Sequence, residues 1–325
     1  MSSSYEPIEV KKEDAGLRID RFIERNFKDL SFINIQKLLR TGQIRLDGKR
    51  VIGSKRIELG NKIRVPSKYR NIDRNKFKVY KPLNKFWKNI IDYNILYCDK
   101  EILAINKPSG IAVQGGSKIR NHLDDKLDFF RFDSVYRPQL LHRLDKDTSG
   151  VIVLSRNPVT TKRLGRDFKN RNIKKIYLAI VIGHMPKKNG SINFPLAKVK
   201  RDGYEITSKT ISGKDALTFY SVLWKGLYKN IKISLVEFKP KTGRKHQIRA
   251  HCNQLGCSIL GDKKYSISNK KIDLLCEFND ILHLHAREIG IPDIEGLTIR
   301  IVAPIPIHMK RVLKVLNISK SLVEY

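Results

Sequence analysis

The sequence predicts an α+β protein, with a small α/β module followed by a larger domain built on a mixed, mainly antiparallel sheet. Three observations lead there. Apolar residues recur at helical spacing near the N-terminus, and short apolar runs take over from residue 94. The helical segments among those runs do not alternate with them regularly, as a parallel doubly wound fold would require. A length of 325 residues suits two unequal domains, each able to bury a core.

In chain order, residues 16–28 place Leu17, Ile19, Phe22, Ile23 and Phe27 at helical spacing. A second helix follows, with Ser31 as N-cap, Ile35, Leu38 and Leu39 on its buried face, and Gly42 where a left-handed C-terminal residue belongs. Residues 43–51 read as a tight hairpin around Asp47-Gly48, and Lys62–Val65 forms a further strand before Pro66. Residues 67–92 are rich in Lys, Asn and Arg and show no sustained period, so they read as a basic linker between domains 15–66 and 93–325. Apolar runs at 94–98, 101–105, 151–154, 176–182, 231–238 and 297–303 predict strands; 158–170, 246–255 and 308–316 predict helices.

Composition narrows the function. The net charge is +33, from 65 Lys plus Arg against 32 Asp plus Glu, which makes nucleic acid the leading partner. A general bias toward Ile, Asn and Lys would also raise the charge, so charge alone does not decide. Cys98, Cys252, Cys257 and Cys276 form no CxxC pair and are too few for a disulfide framework. Cys252 and Cys257 beside His251 match no usual zinc spacing, and His283 and His285 read as structural. With no apolar stretch long enough to span a bilayer and no signal-peptide pattern, the expectation is a soluble cytoplasmic protein.

The densest chemistry lies at 142–150, HRLDKDTSG, where one carboxylate sits between basic residues at a small-residue turn that feeds the apolar run Val151–Leu154. On its residues alone, this is either a surface loop with a local Arg-Asp pair or a catalytic loop. No Gly-x-Ser-x-Gly elbow surrounds Ser149, and neither Gly115-Gly116-Ser117 nor Gly243-Arg244 has phosphate-loop spacing.

That nine-residue string resembles the signature loop of the RluA-type pseudouridine synthases, whose catalytic aspartate falls on Asp145. Further motifs appear in the family's order. NKPSGIAVQGGS at 106–117, which includes Lys107, is similar to the segment preceding the catalytic loop in the ribosomal large-subunit branch. KKIYLAIVIG at 174–183 is similar to the strand bearing the active-site tyrosine, here Tyr177. KPKTGRKHQIRAH at 239–251 is similar to the segment whose last arginine, Arg249, pairs with the aspartate. LGCSILGDKKY at 255–265 is similar to one wall of the uracil pocket, with Ile259 and Leu260 as apolar contacts. Gln114 stands where close relatives often have histidine.

The resemblance implies isomerisation of uridines in 23S ribosomal RNA to pseudouridine, with no cofactor and no metal. Arg143 would help flip the nucleotide, at a few kcal/mol of lost stacking, and Lys107 would bind substrate. The two helices and the hairpin GQIRLDGKRV resemble the S4 RNA-binding domain, implying RNA contacts by Arg18, Arg21, Lys37, Arg40, Arg45, Lys49 and Arg50. The implied partner is large-subunit ribosomal RNA or its precursor particle, met by a monomer with no membrane involved. A sister enzyme with other target uridines, a non-catalytic assembly factor and a metal-dependent RNA hydrolase are the competing readings. The last lacks clustered carboxylates.

Overall fold

In the computed structural model, the described residues are 7–27, 30, 32–66, 69, 83–116, 121–201, 204–265, 278 and 281–323. Near the N-terminus, helices Ile19–Asn26 and Phe32–Arg40 pack on a four-stranded antiparallel sheet ordered Ile8–Glu9, Lys62–Arg64, Arg45–Leu46, Lys49–Arg50. Leu17, Ile19, Phe22, Ile23, Phe27, Ile35, Leu38 and Leu39 share one core with Ile44 and Ile63, so the apolar spacing located the buried faces. Gly42 is left-handed (φ 70°), and Asp47 and Gly48 (φ 49° and 76°) close the hairpin as a turn of positive φ. Ser31 lies outside the described residues.

The linker expectation needs correction. Of residues 67–92, the stretch from Lys85 onward belongs to a helix, Lys85–Tyr93, capped by Asn84, whose Oδ1 accepts from the Trp87 amide at 3.1 Å. Trp87 and Ile90 are buried in the core shared with Leu103, Phe130 and Ile152. The pattern was present in Trp87, Ile90 and Ile91, but surrounding Lys and Asn diluted it. Residues 67, 68 and 70–82 lie outside the described residues.

The larger sheet has eleven strands. Its main path runs Asn189–Asn193, Leu217–Tyr228, Ile231–Pro240, Lys174–Ile182, Leu284–Pro292, Ser149–Ser155, Ile102–Lys107, Ile95–Cys98. Every pairing among the described strands is antiparallel except Leu284–Pro292 with Ser149–Ser155, matched at His285↔Ser149 and Ala286↔Gly150. That parallel pair lies at the middle of the sheet, where both strands are buried almost throughout.

The three predicted helices appear as Pro158–Lys169, Gln247–Gln254 and Ile307–Val315. Strand Leu217–Tyr228 escaped the sequence reading because its burial is broken and it is studded with polar residues; pairing along Ile231–Pro240 holds it in place. A separate hairpin, Leu196–Arg201 with Tyr204–Lys209, packs against helix Gln247–Gln254, with Leu196 and Ile206 beside Ala250 and Tyr265. Among the described residues no helix is long and apolar enough to cross a membrane, and no group of three His, Cys, Asp or Glu could hold a metal ion.

Candidate active site

The site begins with a loop that the backbone cannot easily move. At its start, His142 Nε2 accepts from the Val153 amide at 2.9 Å, and its ring stacks on Phe168 with centroids 5.0 Å apart. At its end, the Gly110 amide and Lys107 Nζ both donate to the Lys146 carbonyl at 3.0 Å, and Ser109 Oγ donates to the Asp147 carbonyl at 2.6 Å. Gly150 (φ 108°) then lets the chain enter the sheet. A Cβ there would lie 2.2 Å from the Ala286 carbonyl oxygen, so the parallel strands close only over glycine.

The loop projects Asp145 into a pocket of about 460 Å³, lined also by Arg143, Phe168, Tyr177, His246 and Arg249. The side chain of Asp145 is 28% exposed. Burial raises its carboxyl above the usual range, opposed by the charges of Arg249, Arg143 and Lys245. Tyr177 lies on the central strand, in register with Ala286 on one side and Phe238 on the other. Burial, and then the charge of Asp145, push its phenol well up, so at neutral pH it is a protonated aromatic surface.

Arg249 sits otherwise than expected. Its Nε and Nη2 donate to the two oxygens of Asp262 at 2.7 and 2.6 Å, and Asp262 also accepts from the amides of Lys264 and Tyr265. The expected direct pair with Asp145 is replaced by a through-space effect, because the buried fork of Asp262 satisfies the planar guanidinium at two points. Asp145 instead has His246 nearby, with Nε2 3.8 Å from Oδ1.

Other sequence-derived positions move too. Ile259 and Leu260 do not line the pocket; they are buried in two hydrophobic clusters, Ile259 with Val181 and Phe238, Leu260 with Leu178 and Met309. Both are apolar enough for core, and the sheet uses them there. Lys107 is likewise buried away from the pocket. Its Nζ donates to the carbonyls of Pro108, Ile111 and Lys146 at 2.9 to 3.0 Å, and burial lowers its pKa to about 7. It therefore tethers the loop and is not placed to bind substrate.

The N-terminal basic residues divide. Arg18 pairs with Asp20 and Arg21 with Glu24, each at 2.6 Å, and Arg45 donates to the carbonyls of Gly42 and Gly48. Lys37, Arg40, Lys49 and Arg50 are exposed.

Sequence reasoning does not single out His142, Asp262, Lys175 or Arg171 as site residues, and it places His246 only at the start of the predicted helix 246–255. For Asp262 the signal was its place in LGDKKY, close behind the motif carrying Arg249; the others become visible only when the sheet folds.

Residues 101–254 match the model of the RNA pseudouridylate synthase family. A protein of Rickettsia conorii named ribosomal large subunit pseudouridine synthase C is 34% identical over 90% of this chain and 95% of its own length. One of the same name from Buchnera aphidicola (Baizongia pistaciae) is 36% identical over 96% of this chain and 98% of its own. Among solved structures, human RNA pseudouridylate synthase domain containing 4 superimposes with a TM-score of 0.60 at 28% identity, covering 71% of this chain and 96% of that one. With a pinned aspartate loop at the head of a matching, mainly antiparallel sheet, this chain belongs to the RluA-type RNA pseudouridine synthases, a family of isomerases.

Proposed function

We propose that the protein converts specific uridines of 23S ribosomal RNA to pseudouridine, with Asp145 acting at C1′ of a flipped-out nucleotide. The observation that carries this reading is the pocket itself: one carboxylate on an immobilised loop, facing a neutral tyrosine and rimmed by arginines and lysines.

The reaction breaks the N1–C1′ bond, turns the uracil and joins C5 to C1′; the C5 proton leaves and N1 ends protonated, so nothing is oxidised or hydrolysed. The Asp145 carboxylate attacks C1′ or stabilises positive charge there as N1 departs. Arg249 acts at a distance, favouring the charged carboxylate while Asp262 holds it still. Tyr177 stacks on the uracil, and its raised pKa argues against proton abstraction by a tyrosinate. Arg143, exposed at the pocket, fills the place the nucleotide vacates. Arg171, Lys175, Lys241 and Arg244 line the same pocket and suit flanking phosphates.

In the same reading, residues 15–66 form an S4-like module that grips large-subunit ribosomal RNA or its precursor particle through exposed Lys37, Arg40, Lys49 and Arg50.

The test is chemical mapping of pseudouridine across large-subunit ribosomal RNA in cells lacking the gene, complemented with the native protein or with Asp145→Ala. Signals restored by the native protein alone support the reading, and their positions separate it from a sister enzyme with other targets. Signals unchanged in every strain would refute the ribosomal assignment.

A further inference from the structure

Two hydrogen bonds that the mechanism above leaves unused, followed by one longer contact, run from the hairpin at 196–209 to the reactive carboxylate. The Thr207 amide donates to Tyr265 Oη at 2.9 Å, and Tyr265 Oη lies 3.0 Å from His246 Nδ1. An amide nitrogen only donates, so the phenol oxygen must accept there, and its single proton is left for His246 Nδ1. Burial raises the Tyr265 phenol, which keeps that proton in place at neutral pH. Nδ1 is therefore an acceptor, and the neutral imidazole carries its hydrogen on Nε2. Nε2 is the nitrogen 3.8 Å from Asp145 Oδ1.

The imidazole stays neutral for a structural reason. Burial first, then Arg249 on its own helix, Lys264 on the turn ending at Tyr265, and Lys245 beside it lower its pKa to about 3, against Asp262, which raises it. The backbone adds a second sign of purpose. His246 sits at φ 53°, ψ 26°, the left-handed region, at the N-terminus of helix Gln247–Gln254. Such a conformation in a side-chain-bearing residue is strained, and it turns the ring back over the pocket between Tyr265 and Asp145.

We propose that His246 is a positioning residue for Asp145: the chain Thr207 to Tyr265 to His246 fixes the imidazole tautomer and aims its Nε2–H at the carboxylate. The contact shortens to a hydrogen bond when a nucleotide fills the pocket, since such bonds tighten on substrate binding. A donor to the ionised oxygen favours the charged form and holds one lone pair, leaving the other oxygen for C1′. No proton is transferred, so the balance of the reaction is unchanged. The inference rests on the reading of Asp145 as the reacting carboxylate.

The experiment follows tritium release from C5-tritiated uridine in transcribed 23S ribosomal RNA under single-turnover conditions, using the full chain across pH. Asn at 246 reproduces the Nδ1 position, facing Tyr265 without a donor for Asp145; Gln reproduces the Nε2 position and keeps that donor. His246→Asn is expected to slow the reaction by ~30-fold, in line with loss of a charge-assisted hydrogen bond, and His246→Gln by no more than ~5-fold. Losing the donor raises the Asp145 pKa, so the acid limb of the rate profile moves to higher pH in His246→Asn and not in His246→Gln. Tyr265→Phe, which frees the tautomer, is expected to move the limb the same way by less. RNA affinity should be the same in all three.

Equal rates for native protein and His246→Asn would overturn the inference, as would equal losses in both 246 variants with an unmoved acid limb. Asp145→Asn run in parallel separates the two claims. If it remains active, the reading of Asp145 fails; if it is dead while His246→Asn is native-like, only the role of His246 fails.

Discussion

The pocket and the N-terminal basic surface both carry cationic side chains, yet they treat them in opposite ways. In the pocket, Arg249 is clamped by a buried aspartate and His246 is held by a tyrosine, while the loop bearing Asp145 is tied by His142 and Lys107. On the N-terminal surface, Lys37, Arg40, Lys49 and Arg50 stand in solvent. The difference fits the two tasks proposed above. Acting at one carbon requires a carboxylate held to within a fraction of an ångström, whereas gripping a phosphate backbone requires charge that adapts.

The sharpest test separates chemistry from grip. Asp145→Asn is expected to lower pseudouridine formation by at least ~1000-fold while RNA affinity, measured by filter binding, changes little. A matching loss of affinity would erase the contrast between the regions. Next in size is Gly150→Ala. The new methyl group would collide with the Ala286 carbonyl in a left-handed conformation, so the parallel strands must part; a loss of ~3 kcal/mol in urea unfolding is expected. An unchanged midpoint would show that the strand pair tolerates displacement.

On the N-terminal side, replacing Lys37, Arg40, Lys49 and Arg50 together by Ala is expected to weaken RNA binding ~10- to 100-fold at low salt and to flatten the log–log salt slope by roughly 3. The rate at saturating RNA should hold. A drop in that rate would mean the surface positions the substrate as well as binding it.

The smallest effect concerns stability. Burial holds the native carboxyl of Asp145 above its ordinary range, so the folded state binds more protons than the unfolded one between the unfolded and folded pKa values. Stability therefore falls as pH rises through that window, and the cost is complete above it. Asp145→Asn removes the cost, and calorimetry at neutral pH should show a melting temperature raised by ~2 °C. On the proposed mechanism the same group must be charged to react, so activity is expected to rise with pH over the window in which stability falls.

Legibility followed the type of signal. Apolar runs located the strands Ser149–Ser155, Lys174–Ile182 and Ile231–Pro240, because strands buried on both faces write themselves as continuous apolar sequence. Helix Lys85–Tyr93 was lost in its charged neighbourhood, although Trp87 and Ile90 carry its packing. Within the site, Asp145, Tyr177, Arg143 and Arg249 were all named from motifs and all line the pocket. The partner of Arg249 was not, since a guanidinium between two carboxylates chooses by geometry. Ile259, Leu260 and Lys107 were assigned to the substrate, and the fold turned all of them inward.

One-dimensional information suffices for the α+β class, the short helices and hairpin of the first sixty-odd residues, the loop 142–150 and the family. These are properties of local pattern: apolar period, turn residues and motif order survive in one dimension. It took the folded arrangement to make Asp262 and not Asp145 the partner of Arg249, to turn Lys107 onto the loop, and to bring a tyrosine 19 residues after His246 within 3.0 Å of its Nδ1. Hydrogen-bond partners are chosen by distance and angle over a few ångströms, and those distances exist only once strands far apart in the chain have been paired.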